Sequence, residues 1–286
     1  RHRFSNLERI PMNKPLISLC MIVGNVEEYI LRCLTSFIEI ADEVCMVRAI
    51  GNLEPDRTID IAVDYVERVM QKPFKCEEYR NAPANAKWDH LDSFANARQQ
   101  SFDLAEADYC FWCDSDDVFE GDPELVREHA RKADFACYII PYRILGLGVN
   151  VPRERLIRRS AGHWDYPVHE CFRYDKEPVE GASDDRTVVV HQPFSNKEGS
   201  NERNIRILRG MDEDTMHPGL LYHLHGELLA AGDIPEACRI ATKALQHPDL
   251  GKAEHYELLL MMAKVAGDPK QKEIFLHSAY QADPAR

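Results

Sequence analysis

The stretch Ala107-Asp-Tyr-Cys-Phe-Trp-Cys-Asp-Ser-Asp-Asp-Val118 sets the class of fold. Its aromatic, apolar run from Tyr109 to Cys113 predicts a short buried strand. The run stops at three carboxylates, Asp114, Asp116 and Asp117, with Ser115 among them. Acids this closely spaced, where a strand gives way to a loop, can converge on one hard divalent cation. Open α/β sheets also bind ligands in crevices at their strand ends. A strand running into an acidic helix N-cap would give the same letters, because Glu120-Gly-Asp-Pro123 follows.

Upstream, Leu16-Ile-Ser-Leu-Cys-Met-Ile-Val23 is a continuous apolar run, expected of a strand covered on both faces. Gly24-Asn25 breaks it, and Val26 to Ile40 carries apolar residues at helical spacing. A strand at Glu43–Val47 completes a β-α-β unit, hence a parallel sheet with a right-handed crossover. A turn-rich loop leads to a helix from Thr58 to Glu67, and the polar segment Gln71–Lys87 reads as an irregular surface excursion. No glycine-rich phosphate loop is present. A helix capped by Asp92 or Ser93 and running to about Ala105 feeds the acidic strand. Beyond it come a helix (Pro123–Lys132), a strand (Phe135–Pro141) and a β-rich region from about Arg153 to His191. The basic stripe Arg153-Glu-Arg-Leu-Ile-Arg-Arg159 is either a solvated strand edge or a place for a phosphate-bearing ligand.

From about Ser200 the pattern is helical throughout. Gly232 and Gly267 stand 35 residues apart, as do Ala244 and Ala279. That period and the small residues at helix crossings match a tetratricopeptide-like repeat, with two units stacking on a helix at Asn201–Arg209. A plain pair of helical hairpins would give the same pattern.

The chain has 286 residues, 44% of them hydrophobic, enough for one large domain and a smaller one. A net charge of −13 disfavours nucleic acid and anionic membranes as partners. Nine cysteines, mostly inside apolar runs, predict buried thiols in a reducing, cytoplasmic compartment. The pair Cys110 and Cys113 has no second CxxC to make a zinc site. No apolar span of about twenty residues and no secretory leader are legible. Met12-Asn-Lys-Pro15 reads as a natural start, so that residues 1–11 are expected to lie outside the native chain.

Ser18-Leu-Cys-Met-Ile-Val-Gly-Asn25, Asp56-Arg-Thr58, Asp92-Ser-Phe-Ala-Asn-Ala-Arg98 and Asp114-Ser-Asp116 occur in the order seen in family 2 glycosyltransferases. With Val168-His-Glu170, His191 and the helical tail, the chain resembles a bacterial and phage subgroup of that family. The resemblance implies an α/β fold of the GT-A type, a mostly parallel sheet flanked by helices, over residues 12–195. An all-α tetratricopeptide-like tail over 200–286 would follow. It also implies transfer of a sugar from a nucleoside-diphosphate donor to a peptide, protein, glycan or modified nucleobase. The tail is expected to hold the acceptor or a second copy of the chain. The alternative is a non-catalytic binding protein built on a degenerate transferase domain; nucleotidyl transfer fits poorly without a basic, glycine-rich loop.

By the same resemblance, Asp114 and Asp116 form a DxD site for Mn2+ or Mg2+ bridging the donor diphosphate. An acidic site needs such a cation to bind an anionic donor, and the cation stabilises the departing diphosphate. Asp116 is the expected direct ligand, with Asp114 reaching the ribose or a metal-bound water. His191 is either a third metal residue or a satisfied structural histidine. Asn25, Glu27, Asp92, Arg98 and Ser115 are expected around the donor, although Arg98 could equally pair with Asp92. Glu170 is the expected general base of an inverting transfer. His169 could orient it, bind metal or act as base itself; both could instead cap a helix. Trp164 and Tyr166 suit a sugar face or a core. The chain departs from the family in reading Gly24-Asn-Val-Glu27 after the first strand. It also places Arg48 where a base-binding aspartate usually stands. A guanidinium only donates, which disfavours uracil as the donor base and leaves Arg48 to reach a base carbonyl, a carboxylate or a phosphate.

Overall fold

The computed structural model describes residues 14–146, 148–176, 181–183, 185–192 and 199–285. β1 (Ile17–Val23) is buried at every position, as a strand with no polar face must be. α1 (Ile30–Phe37) buries Ile30, Cys33, Leu34 and Phe37, the spacing of one helical face. It starts at Ile30 and not at Val26: residues 27–29 form a turn, tied through the N–H groups of Val26 and Glu27 to residues 58 and 56. The Val26 N–H donates to Thr58 Oγ1 at 2.8 Å and the Glu27 N–H to Asp56 Oδ2 at 3.0 Å. β2 (Glu43–Arg48) and α2 (Thr58–Val63) follow, the helix continuing as a π-helical stretch over Asp64–Val69.

The segment expected to be irregular contains β3 (Phe74–Glu78). Its residues are half-buried or exposed, so no alternation of apolar residues announces it. Backbone pairing with β2, in register from Val44–Phe74 to Arg48–Glu78, makes it a strand. α3 (Phe94–Asp103) leads into β4 (Tyr109–Asp114), and after a turn the chain returns as β5 (Asp117–Glu120). The Asp-rich run is therefore a strand-turn-strand. The helix cap comes later: Asp122 accepts the Glu124 N–H at 2.9 Å to open α4 (Pro123–Lys132). Next come β6 (Cys137–Ile144), β7 (Val149–Arg158), β8 (Gly162–Asp165), β9 (Cys171–Tyr174), β10 (Gly181–Ser183) and β11 (Val188–His191).

The main sheet runs β3-β2-β1-β4-β7-β6-β11-β5, with β10 also on β6, while β8 and β9 pair separately. It is mixed. β3, β2, β1 and β4 are mutually parallel, whereas β7 is antiparallel to both β4 and β6. The basic stripe is thus no edge: β7 lies inside the sheet and Arg155 is 1% exposed. Phe37, Phe111 and Phe119 pack with ring centroids 5.5–6.3 Å apart in the core beneath α1. All nine cysteines are free thiols.

The chain divides into two compact units, the first formed by the described residues of 14–91, 96–165 and 172–192. The second combines 92–95 and 166–171 with the helical region from 199 onward. Its helices are α5 (Ser200–Arg209), α6 (Pro218–Ala230), α7 (Ile234–Leu245), α8 (Lys252–Val265) and α9 (Pro269–Ala282). α6 packs on α7 and α8 on α9 as two hairpins. The second helix of each opens on an aspartate cap followed closely by proline, at Asp233 and Asp268.

His225 on α6 is fully buried, with Nδ1 2.9 Å from the Ala237 carbonyl. Burial pushes its pKa below the ordinary imidazole value, against the raising effect of that hydrogen bond. The unfolded chain therefore takes up this proton first. His225 should cost stability as the pH falls below about 6.5, its unfolded value, and nothing above it. A His225→Gln variant is expected to show a flatter decline of the urea midpoint between about pH 7 and 5. An unchanged slope would remove His225 as the cause.

Candidate active site

The parallel strands place their carboxyl ends along one edge of the first unit. Register pairs Val23 with Arg48 and Ile22 with Asp114, so β1, β2 and β4 finish side by side. The turn after β4 carries Ser115 and Asp116, and β5 then pairs antiparallel with β11 so that His191 stands opposite Asp117. Topology thus brings a histidine from far along the chain to the acidic turn.

Asp117 is fully buried and serves as the hub. Its carboxylate accepts from the Asp114 N–H at 3.1 Å, the Tyr142 hydroxyl at 3.1 Å and the His191 Nδ1 at 3.2 Å. Arg155 Nη1 lies 3.3 Å away and balances the charge. A buried carboxylate persists as an ion only with such pairing. Burial, followed by the nearby Asp117 charge, drives the Tyr142 pKa far up, so its hydroxyl stays a neutral donor. Because a carboxylate only accepts, the hydrogen of this contact sits on His191 Nδ1, and Nε2 is the ring nitrogen left to face a cation.

Asp116 is 4% exposed, and its carboxylate lies 3.6 Å from His191 Nδ1. Arg32 from α1 donates to the Asp116 carbonyl at 3.4 Å and to the Gln192 side chain at 2.6 Å. The Gln192 N–H donates to the same Asp116 carbonyl at 2.9 Å, so the turn is held on both sides. One ligand atom from each of Asp116, Asp117 and His191 lies within 4.8 Å of the others. Two carboxylates and an imidazole suit Mn2+, and the oxygens suit Mg2+. The residues present therefore fit a divalent cation.

The Asp114 carboxylate pairs with Arg98, which is 2% exposed, at 2.9 Å. The Arg98 guanidinium lies 4.5 Å from the Trp112 ring and 5.2 Å from Trp164, and Arg155 lies 3.9 Å from Trp112. Trp164 packs edge-on against Phe102, Trp112 and Phe172, so it belongs to the core and not to a sugar platform.

Of the other expected donor residues, Asn25 and Glu27 tie down the loop before α2. Asn25 donates to the Glu54 carbonyl at 2.8 Å, and Glu27 accepts the Arg57 N–H at 2.9 Å. Arg48 forms an ion pair with Glu78 at the ends of β2 and β3. Ser115 is half-buried in the acidic turn.

Asp92 belongs to the second unit, as do Tyr166, His169 and Glu170. His169 Nε2 lies 2.9 Å from Glu227 Oε1, and its ring stacks on His223 at 4.0 Å and 8°. Glu227 also accepts from Asn201 at 2.8 Å and Asn204 at 2.6 Å. Burial raises the Glu227 pKa, but the hydrogen bonds from His169 and Asn204 outweigh it and hold the carboxyl below its ordinary range. Tyr166 and His169 both adopt positive φ, 70° and 55°, a strained backbone of the kind found where a side chain must be aimed. His169 is thus committed to the helices, leaving Glu170, which interacts with the half-buried Arg203 guanidinium, as the carboxylate of this segment.

The family profile described as Glycosyl transferase family 2 matches residues 18–180, more than half of the chain. The chain belongs to glycosyl transferase family 2. The comparison with curated proteins returned no match. Among solved structures, S. aureus TarS 1–349 in complex with UDP aligns with 14% identity over 94% of this chain and 93% of that one, at a TM-score of 0.51. TarS 1–349 in complex with UDP-GlcNAc gives 13% identity, the same coverages and a TM-score of 0.50. The mannosyltransferase PcManGT from Pyrobaculum calidifontis, in complex with GDP-Man and Mn2+, gives 14% identity over 96% and 88%, with a TM-score of 0.47. At these identities the TarS likeness speaks for the fold, and PcManGT falls too low to add to it. Among the described residues no helix is long and apolar enough to cross a membrane.

Proposed function

We propose that the chain is a metal-dependent, inverting glycosyltransferase that moves a sugar from a nucleoside-diphosphate sugar to an acceptor nucleophile. The observation that carries this reading is the convergence of Asp116, Asp117 and His191 at the end of β4 in a family 2 domain. Asp116 and His191 would hold Mn2+ or Mg2+, with Asp117 orienting His191 from behind, as carboxylates commonly do for metal-bound histidines. The bound cation supplies Lewis-acid stabilisation of the leaving diphosphate. Arg98 neutralises Asp114 and fixes it toward the donor side of the turn.

Glu170 is the proposed general base, taking the proton from the acceptor as it attacks the anomeric carbon. His169 acts as a positioning residue that anchors the segment to Glu227. Residues 12–195 form the proposed transferase domain and 200–286 a tetratricopeptide-like tail, supported by α7 and α9 starting at residues 234 and 269, 35 positions apart. Ile274, Leu276 and Tyr280 on α9 are 62%, 45% and 63% exposed, which suits a peptide or protein acceptor or a second copy of the chain. The setting proposed is cytoplasmic.

A thermal-shift panel of sugar nucleotides with and without Mn2+ tests the reading. A matching donor held at about a hundred times its dissociation constant should stabilise by about 2.7 kcal/mol, and only with metal. Stabilisation indifferent to metal, with no turnover, would favour a binding protein instead. Glu170→Gln is expected to bind donor as before yet lose transfer by roughly 10²–10⁴-fold. Full transfer by that variant would take the base role away from Glu170.

A further inference from the structure

A cavity of about 530 Å³ opens at the carboxyl ends of β2 and β3, lined by Arg48, Leu53, Glu78, Tyr79 and Arg80 among others. β2 and β4 are separated only by β1, so Arg48 and the acidic turn lie about 10 Å apart, two strand spacings, along one sheet edge. A ribose and two phosphates bridge such a span. The rim is fixed. A Cβ on Gly51, at φ +62°, would meet the Trp88 carbonyl oxygen at 2.4 Å and the His90 nitrogen at 2.5 Å. The Asn52 N–H donates to the same Trp88 carbonyl at 2.7 Å.

Resting on the transferase reading, we propose that this cavity takes guanine, so that the donor is a guanosine-diphosphate sugar read by the Arg48–Glu78 pair. The two side chains come from registered positions on adjacent strands and are ion-paired, which sets a two-oxygen acceptor beside a guanidinium fork. Guanine presents two adjacent N–H donors, N1 and N2, next to the acceptors O6 and N7. The donors match both oxygens of Glu78, and the acceptors match the fork of Arg48. Uracil offers one N–H between two carbonyls, while adenine and cytosine each offer a lone amino group. All three leave one Glu78 oxygen without a hydrogen bond from the base. Leu53 and Tyr79 supply apolar walls for the faces of the base.

Isothermal titration of the full chain with the diphosphates of guanosine, inosine, uridine, adenosine and cytidine, in Mn2+, tests this. Inosine lacks the 2-amino group and isolates the second contact to Glu78. GDP is expected to bind on the order of tenfold or more tighter than each of the others. In Glu78→Gln, whose amide offers a single acceptor oxygen, GDP and the inosine nucleotide are expected to become equal. Tighter binding of the uridine, adenosine or cytidine nucleotide would overturn guanine and leave the transferase reading standing. Equal binding of GDP and the inosine nucleotide, or an unchanged ratio in Glu78→Gln with native melting, would overturn the role of Glu78. If none of the five binds, the donor reading itself fails.

Discussion

Asp116→Ala is expected to lower metal-dependent hydrolysis of the donor by on the order of 10³-fold while the chain stays folded. A cation positioned on a leaving diphosphate contributes several kcal/mol to the transition state, and each 1.4 kcal/mol is a factor of ten in rate. The fold should survive because the structural bonds of the turn run through other atoms. Asp117 accepts from Asp114, Tyr142 and His191, and the Asp116 backbone carbonyl receives Arg32 and Gln192. Paired assays of Mn2+-dependent turnover and thermal melting separate the two effects. Turnover within about threefold of the parent would sink the assignment of Asp116 as a ligand.

Arg155→Met should give the largest stability loss among single changes around the site, about 3–5 kcal/mol. Truncating one partner of a buried ion pair leaves the other charge uncompensated, and here the stranded group is Asp117, fully buried beneath the turn. The guanidinium also lies over Trp112 and Tyr142, at 3.9 and 4.3 Å, contacts that methionine reproduces only in part. A melting-point drop of roughly 10 °C follows from the usual scaling for a chain of this size. Because the loss comes from a lone charge, Arg155→Met combined with Asp117→Asn should recover part of it. A double variant no more stable than the single one would point to lost packing instead.

How much of this was legible in the letters differs from element to element. β1 and β4 are plain because each is apolar along its length, and the acids after β4 mark the turn where Asp116 and His191 meet. β3 was hidden because an edge strand can be held by backbone pairing alone, with little side-chain burial to leave a pattern. β5 was hidden for another reason: Asp117-Val-Phe-Glu120 looks like the lead-in to a helix, and only its pairing with β11 makes it a strand. The three acids then part company in a way spacing does not foretell. Asp114 goes to Arg98, Asp117 to Arg155 and His191, and Asp116 lies beside the same His191. Arg155 lay inside a stripe that read as solvated, since a sequence does not say which cation of a basic run turns inward. Glu227 carries no signal in the sequence; its partner His169 stands out as an orienting, metal-binding or basic residue, and none of those roles points to a helix more than fifty residues away.

The strained segment 166–171 bears on how such enzymes diversify. It interrupts the strands β8 and β9 of the transferase part, yet its anchor, Glu227, and its stacking partner, His223, sit on a helix encoded more than fifty residues later. A recombination event that exchanged the tail at the helical boundary would leave His169 at positive φ without its Glu227 hydrogen bond and His223 stack. The tail and the segment carrying Glu170 therefore form one heritable cassette, and chimaeras should tolerate exchange only when both travel together.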